Sequence, residues 1–286
     1  MNIEKCIVAE NPGFRIHLIK GYISNIYLVE YPSSLLLLDS GSISDTHEIR
    51  RYCENICARP MSDITLCAVS HMHPDHAGGA VRIREKFGIP VAAFHTIDNW
   101  YSGITGLIQH SLDCMMELFV GKSIGKKLKS VYFGRKLRPD YPIFKDGPLP
   151  LFSDWEVVHI PGHTLHDIAL FNKKEKILHA GDAVLSVNGR FRMPLPVYFK
   201  RAMRASYEKL SGLEVSIVLP GHGDVIRADD HHGLFTHMSG LIDEPKSLMS
   251  TTVHRISLFT PAVWKGSLKN FLSRISCSCF SSTFKI

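Results

Sequence analysis

The run Ser70-His71-Met72-His73-Pro74-Asp75-His76-Ala77-Gly78-Gly79 places four side chains able to hold a metal, His71, His73, Asp75 and His76, within six residues. Imidazole and carboxylate donors suit zinc, and iron or manganese accept the same set. Pro74 fixes one backbone angle and the glycines free others, so such a loop can bend tightly around an ion. An isolated His-x-His often has a structural cause on an alternating strand, but four crowded polar groups ask for a ligand. Three more such side chains follow: His163 in Ile160-Pro161-Gly162-His163-Thr164, Asp182 in His179-Ala180-Gly181-Asp182-Ala183, and His222 in Leu219-Pro220-Gly221-His222-Gly223. Each sits beside glycine just beyond an apolar run. Singly, each reads as a hydrogen-bonded loop residue; together, five histidines and two aspartates in one repeated context read as a metal centre. The chemistry of such a centre is hydrolysis, because metal ions acidify water and stabilise a developing oxyanion. There is no Gly-x-Ser-x-Gly run for a serine nucleophile, and the cysteines lack zinc-ribbon spacing.

These side chains need strand ends to position them. Apolar, β-branched and aromatic runs predict strands over 14–20, 26–31 and 35–38, the last ending at the turn signal Asp39-Ser40-Gly41. A helix is expected over 47–57, and a buried strand over 64–70 leads straight into the His71–His76 loop. A helix over 77–87 stops at Gly88, and a strand follows over 90–94. From 96 to about 150 the pattern predicts two or three helices with glycine breaks and a closing proline-rich run over 139–150. Strands resume over 155–160, 168–171 and 176–179, the last two forming a hairpin through Asn172-Lys173-Lys174-Glu175, before a helix over 199–211 and a strand over 215–219. Two β-rich halves, each followed by helices, suggest an α/β sandwich rather than a doubly wound parallel sheet.

On these residues the chain resembles the metallo-β-lactamase superfamily. The resemblance runs from about residue 14 to 230 and rests on five motifs in the family's order: Leu38-Asp39-Ser40-Gly41, the His71–His76 run, His163, Asp182 and His222. It implies an αββα sandwich with a helical insertion and a two-metal site at the edge of the two sheets. It further implies that His71, His73 and His163 hold one metal, that Asp75, His76 and His222 hold the other, and that Asp182 bridges them. Asp39 would orient a ligand imidazole without touching metal. Two zinc ions are the implied cofactor. The implied reaction is attack by a metal-bridging hydroxide on an electrophilic carbonyl or phosphorus, with Asp75 orienting the hydroxide and passing its proton to the leaving group.

Family members cleave thioesters, lactones, β-lactams and phosphodiesters, so the fold does not name the substrate. Many thioesterase-like and lactonase-like members read Gly-His-Thr-x-Gly-His. Here Gly162-His163-Thr164-Leu165-His166-Asp167 puts His166 in place of the second glycine and Asp167 in place of the second histidine. Acyl-homoserine lactonases often carry a tyrosine shortly after the bridging aspartate, whereas Leu185 occupies that neighbourhood here. Seven basic residues and no acid lie between Lys122 and Arg138, and a second acid-free stretch carries Arg190, Arg192, Lys200, Arg201 and Arg204. They predict a basic rim that steers a small anionic substrate, such as a glutathione or coenzyme A thioester or a phosphate ester. The expected enzyme is therefore a dinuclear hydrolase of a small anionic ester or thioester. The alternatives are a nucleic-acid or phosphodiester-processing hydrolase of the same fold, a lactonase, and a non-catalytic metal-binding protein. Nucleic acid is the weaker partner, since aromatics do not interleave regularly with the bases.

The 286 residues, 45% hydrophobic and 21% charged, are enough for one or two domains with a proper core. No run approaches the roughly 18 apolar residues of a membrane span. Glu4, Lys5 and Glu10 do not read as a secretory signal, and seven unpaired-looking cysteines favour a reducing compartment, so a cytoplasmic location is expected. The net charge of +6 comes mostly from the Lys122–Arg138 stretch. A hydrolase domain is expected over 1–262, with its basic helical insertion at about 96–150, followed by an amphipathic basic tail over 263–286. In that tail Trp264, Leu268, Phe271, Leu272 and Ile275 fall at helical spacing before Cys277 and Cys279, which suggests weak association with a membrane surface. Cys53 and Cys57, four apart on an expected helix, are expected to be core or lining residues, and His95 lies at a strand end near the site.

Overall fold

Four consecutive leucines, Leu35–Leu38, form a strand with no polar side, because both faces of its sheet are covered. The structure, a computed structural model, describes residues 5–194 and 197–244. In it the leucine strand is the fourth of seven in the first sheet: β1 (Ile7–Glu10), β2 (Arg15–Lys20), β3 (Asn25–Glu30), β4 (Leu35–Leu38), β5 (Ile64–Ala68), β6 (Val91–Phe94) and β7 (Tyr141–Ile143), paired in that order. The first four are antiparallel neighbours, and β4 to β7 run parallel. The connections between the parallel strands carry α1 (Thr46–Asn55), α2 (Pro74–Ala77), α3 (Ala80–Phe87) and α4 (Gly103–Ser123).

The chain then builds β8 (Gly147–Leu149), β9 (Phe152–His159), β10 (Ile168–Asn172) and β11 (Ile177–Gly181). A small hairpin of β12 (Leu185–Val187) and β13 (Arg190–Arg192) precedes α5 (Lys200–Ser211), β14 (Ile217–Pro220), β15 (Ile226–Arg227) and α6 (His231–Leu241). The second sheet runs β15-β14-β11-β10-β9-β8, with β11 and β14 parallel. Between the sheets Ile16, Leu36, Leu38 and Leu66 meet Trp155, Val157, Leu170 and Leu219. Outside the first sheet Leu35, Leu37, Ile49 and Ile83 pack together; outside the second, Leu178 and Val218 pack with Met203, Tyr207 and Phe235. Alternate leucines of β4 thus serve two separate apolar layers. This is the αββα sandwich expected from the sequence.

The stretch 96–150 departs from expectation. It holds a single long helix, α4, preceded by a short 3-10 turn at Ile97–Asn99. Its internal glycines are points of close approach, not breaks: a Cβ on Gly121 would lie 2.3 Å from the Tyr22 hydroxyl oxygen, and one on Gly106 2.3 Å from the Tyr101 carbonyl carbon. The basic residues mostly follow the helix. The chain turns at Gly125, which has φ +76, and then runs without regular structure to β7. The Arg84 guanidinium pins this run by donating to the carbonyls of Leu137 and Arg138, while Asp98 accepts from both their amides. The proline-rich run supplies the outer strands β7 and β8, whose Pro142 and Pro148 sit where an edge tolerates a missing donor. The strands β1, β12, β13 and β15 and the helix α6 were not anticipated. The expected tail over 263–286 lies outside the described residues, among which no helix is long and apolar enough to cross a membrane.

Trp155 is fully buried between the sheets, and its indole N–H donates to the Tyr31 hydroxyl at 2.8 Å. Trp155→Ala is expected to lower the unfolding free energy by about 3–5 kcal/mol, read from urea denaturation.

Candidate metal centre

All seven side chains singled out in the sequence converge at one edge of the sandwich. His71 and His73 leave β5, and Asp75 and His76 ride on α2, whose first residue is Pro74. His163 lies in the loop after β9, Asp182 directly follows β11, and His222 follows β14. The parallel neighbours β4 and β5, and β11 and β14, bring these exits together.

Two groups of donors result. In the first, His73 Nδ1 lies 3.1 Å from His71 Nε2 and 2.9 Å from His163 Nε2, and Asp182 Oδ2 lies 3.9 and 3.5 Å from His71 and His163 Nε2. In the second, His222 Nε2 is 3.4 Å from His76 Nε2 and 3.1 Å from Asp75 Oδ2. Asp182 turns its other oxygen, Oδ1, to this group, 3.1 Å from His76 Nε2 and 3.4 Å from His222 Nε2. Each group is compact enough to hold a metal ion.

The far sides of the rings fix where the lone pairs point. His222 Nδ1 lies 3.0 Å from the Ile23 carbonyl oxygen, which only accepts, so Nδ1 carries the proton and Nε2 is left bare. Asp39, wholly buried, accepts from the Ser70 amide at 2.7 Å, from the Ser70 hydroxyl at 2.8 Å and from His76 Nδ1 at 2.8 Å. With its hydroxyl proton committed to Asp39, Ser70 Oγ accepts from His71 Nδ1 at 3.0 Å. In the neutral rings of His71, His76 and His222 the proton is thereby placed on Nδ1, and Nε2 is the nitrogen aimed inward. Asp39 performs this at φ +60, a conformation unusual for a residue with a side chain.

The donor set fits metal ions. Asp182 Oδ1 is buried with no hydrogen-bond partner although two imidazoles flank it, which leaves its charge for a cation. Burial first, and neighbouring imidazoles second, keep His71 and His73 well below the ordinary histidine value, whereas for His76 and His222 the Asp182 and Asp75 carboxylates outweigh burial and raise it, so a cation binding among them takes the place of protons. Burial alone would raise Asp75, but the His76 and His222 rings bring it down to about 2. Asp182 likewise ends well below the usual carboxylate range, burial being outweighed by His76 and His222. Gly221 has no room for a side chain: a Cβ there would lie 2.6 Å from His76 Cε1 and 2.7 Å from Asp182 Oδ1.

Several residues around the centre escaped the sequence reading. The inner face of α4 is polar: Gln109, Asp113 and Glu117 are buried, and Asp113 Oδ2 lies 3.8 Å from His73 Nε2. Tyr101 and Gln109 donate to Asp113 at 2.8 and 2.7 Å, and the Ser42 hydroxyl bonds to Glu117. Their spacing of four residues in an otherwise apolar segment was the available signal. His166, which replaces the expected glycine, accepts at Nε2 from the Met72 amide at 3.0 Å, between the two histidines of the first group. Asp167 closes its own loop by accepting from the Thr164 amide and hydroxyl, both at 2.6 Å. His95 stacks on Phe144 and is not among the converging donors. Cys53 is buried in the core, and Cys57 is half-buried against it, 3.9 Å from His17 Nε2.

Part of the basic stretch is committed to holding the insertion in place. Lys126 donates to the Gly21 carbonyl, Arg135 to those of Tyr101 and Gly103, and Lys129 lies 3.8 Å from Asp45. In the second basic stretch, Lys200 and Arg204 pair with Asp243.

The family model for the metallo-beta-lactamase superfamily matches residues 19–222. The chain is 25% identical over 229 residues to the probable metallo-hydrolase YflN of Bacillus subtilis, covering 73% of this chain and 83% of that one. It is 25% identical over 170 residues to the hydroxyacylglutathione hydrolase GloC of Haemophilus influenzae, covering 59% of this chain and 69% of that one. Among solved structures, a metallo-beta-lactamase from Pontibacter korlensis shares the fold with a TM-score of 0.54 at 17% identity, over 85% of this chain and all of that one.

Asp39→Asn removes the acceptor that fixes two ring tautomers and is expected to weaken metal binding about 10–100-fold, measured by competition with a chromophoric chelator. Burial, with Asp75 adding to it, lifts the Glu117 carboxyl from 4.5 to about 9. The stability linked to this group is full below pH 4.5 and declines as pH rises to about 9. Glu117→Gln should remove that decline, so its urea midpoint should exceed that of the parent by a margin that widens across this window.

Proposed function

The chain belongs to the metallo-β-lactamase superfamily and is a metal-dependent hydrolase, and we propose that it works with two metal ions on an ester or thioester of a small anionic substrate. The observation that carries the two-metal reading is the division of Asp182, with one oxygen toward each donor group. His71, His73 and His163 with Asp182 Oδ2 would hold one ion; Asp75, His76 and His222 with Asp182 Oδ1 would hold the other. Neutral imidazoles and carboxylates favour zinc, while iron or manganese accept the same donors. Bound there, the ions supply positive charge that acidifies water and polarises the scissile carbonyl.

The protein's own groups do the rest. Asp75 stays ionised through the neutral range and its main-chain carbonyl is clamped by the Ser24 hydroxyl at 2.5 Å, so its carboxylate is a fixed acceptor at the centre. In this reading Oδ2 of Asp75 orients the attacking water and relays its proton to the leaving group. Ser70, Asp39 and Ile23 keep the ligand rings from turning and hold their outer nitrogens as the donors. The lining of α4 closes one side with Asp113, raised by burial to about 7, beside Tyr101 and Gln109. The thioester preference draws support from the Haemophilus influenzae relative, since an acylated glutathione is an anionic thioester.

A panel of thioesters, lactones, phosphodiesters and β-lactams tests this reading. The best turnover is expected on an anionic thioester or ester, with two metal ions per chain by elemental analysis. Asp75→Ala should lower kcat/KM by roughly 10²–10⁴-fold while the metal content is tracked in parallel. Full activity in that variant, or fewer than one ion per chain after mild purification, would overturn the proposal.

A further inference from the structure

Helix α4 is amphipathic in reverse. Its buried positions are Gly106, Gln109, His110, Asp113, Cys114, Glu117 and Gly121, mostly polar, whereas Ile104, Leu107, Ile108, Met115 and Phe119 stand in solvent. Ile124, Leu128 and Tyr132 extend the exposed apolar surface past the helix, and the exposure is large: 82% for Ile104 and 69% for Leu128. A soluble helix normally turns such a stripe toward a core, and a contiguous apolar surface of this kind marks a docking face. The polar inner face is accounted for by the centre beneath it; the apolar outer face serves nothing within the described residues.

The charge around this face selects its partner. From residue 103 to 139 the only acids are Asp113 and Glu117, and both are buried. The exposed charges are therefore all positive: Lys122, Lys126, Lys127, Lys129, Lys136 and Arg138. A second copy of the chain seated on this face would set these cations against themselves. The segment 245–286 is no better suited, for it carries six lysines and arginines and no acid. An apolar stripe bordered only by cations matches an anionic interface with an apolar interior. We propose that the outer face of α4 and the basic run after it dock the enzyme on an anionic lipid bilayer, with Ile104, Ile108, Met115 and Phe119 entering the interface and Lys122 and Lys127 meeting the headgroups. Because the inner face of the same helix reaches His73 through Asp113, docking places the centre about one helix diameter, roughly 10 Å, from the lipid. The proposal rests on the helix surface and does not depend on which bond the centre cleaves.

The test is co-sedimentation of the full chain with phosphatidylcholine vesicles made with and without phosphatidylglycerol, over a range of salt. Binding is expected only to the anionic vesicles and should weaken as salt rises. K122E/K127E should lower the partition coefficient about thirtyfold or more, and I108S/F119S should lower it comparably, with circular dichroism unchanged because all four positions are exposed. K265E/K269E/R274E in the tail should leave binding dependent on α4. The proposal falls if the parent chain ignores anionic vesicles, or if the tail variant abolishes binding while the α4 variants do not. It also falls if I108S/F119S merely dissolves a dimer and leaves vesicle binding intact, which would make the face an interface between copies.

Discussion

A single buried carboxylate, that of Asp39, decides where the protons sit on the rings around it, and the centre depends on that decision. A buried polar group without partners is costly, and Asp39 accepts three short hydrogen bonds, from the Ser70 amide, the Ser70 hydroxyl and the His76 ring. Each bond has a second consequence. The one to His76 bares its inner nitrogen, and the one from the Ser70 hydroxyl frees that oxygen to take the outer proton of His71. The sheet order follows from the same need, since Asp39 and Ser70 meet only because β4 and β5 are parallel neighbours ending at the same edge.

The sandwich supplies what a loop-built centre lacks. Every ligand leaves a strand or a short helix anchored in apolar layers on both sides, so loop residues inherit the rigidity of the sheets. Tight backbone approach is part of this rigidity, and Gly221 shows it best, pressed against His76 and Asp182 with no space for a methyl group. His166 adds a brace of a different kind, a ring that holds the Met72 amide between two ligands.

The centre was legible in the sequence because its residues announce themselves locally: four crowd one loop after an apolar run, and three more are metal-competent side chains next to glycine at the end of such runs. The layer structure was legible in the order of the elements, two β-rich halves each followed by helices, and the unbroken Leu35–Leu38 is the strand covered on both faces. The stretch 96–150 was opaque because its signals carry two meanings. Gly106 and Gly121 read as breaks in a helix but are contacts of one, and only the positions of Tyr101 and Tyr22 distinguish the two. Asp113 and Glu117 carry no sequence signal of their own for burial beyond their spacing, and the centre beneath α4 is what their buried side chains face. The basic run read as a free rim, yet Lys126 and Arg135 spend their protons on backbone carbonyls, a use that charge counting does not reveal. The expectation of helix through that run failed at Gly125, where the backbone turns left-handed.

The loop of His222 belongs to the second sheet but is fastened to the first. Ile23 accepts from the His222 ring, the Asn25 amide donates to Gly221, and the Asn25 and Tyr27 side chains both donate to the Pro220 carbonyl. The β2–β3 hairpin, near the start of the chain, and the last ligand are therefore clasped to one another. During synthesis, which proceeds from the N-terminus, the His71–His76 loop is exposed long before its partners exist. The complete centre forms only when residue 222 comes back to residues 23–27. Return of residue 222 and completion of the centre are thus one event, and a ribosome halted just before it leaves six of the seven ligands open to whatever ion is at hand.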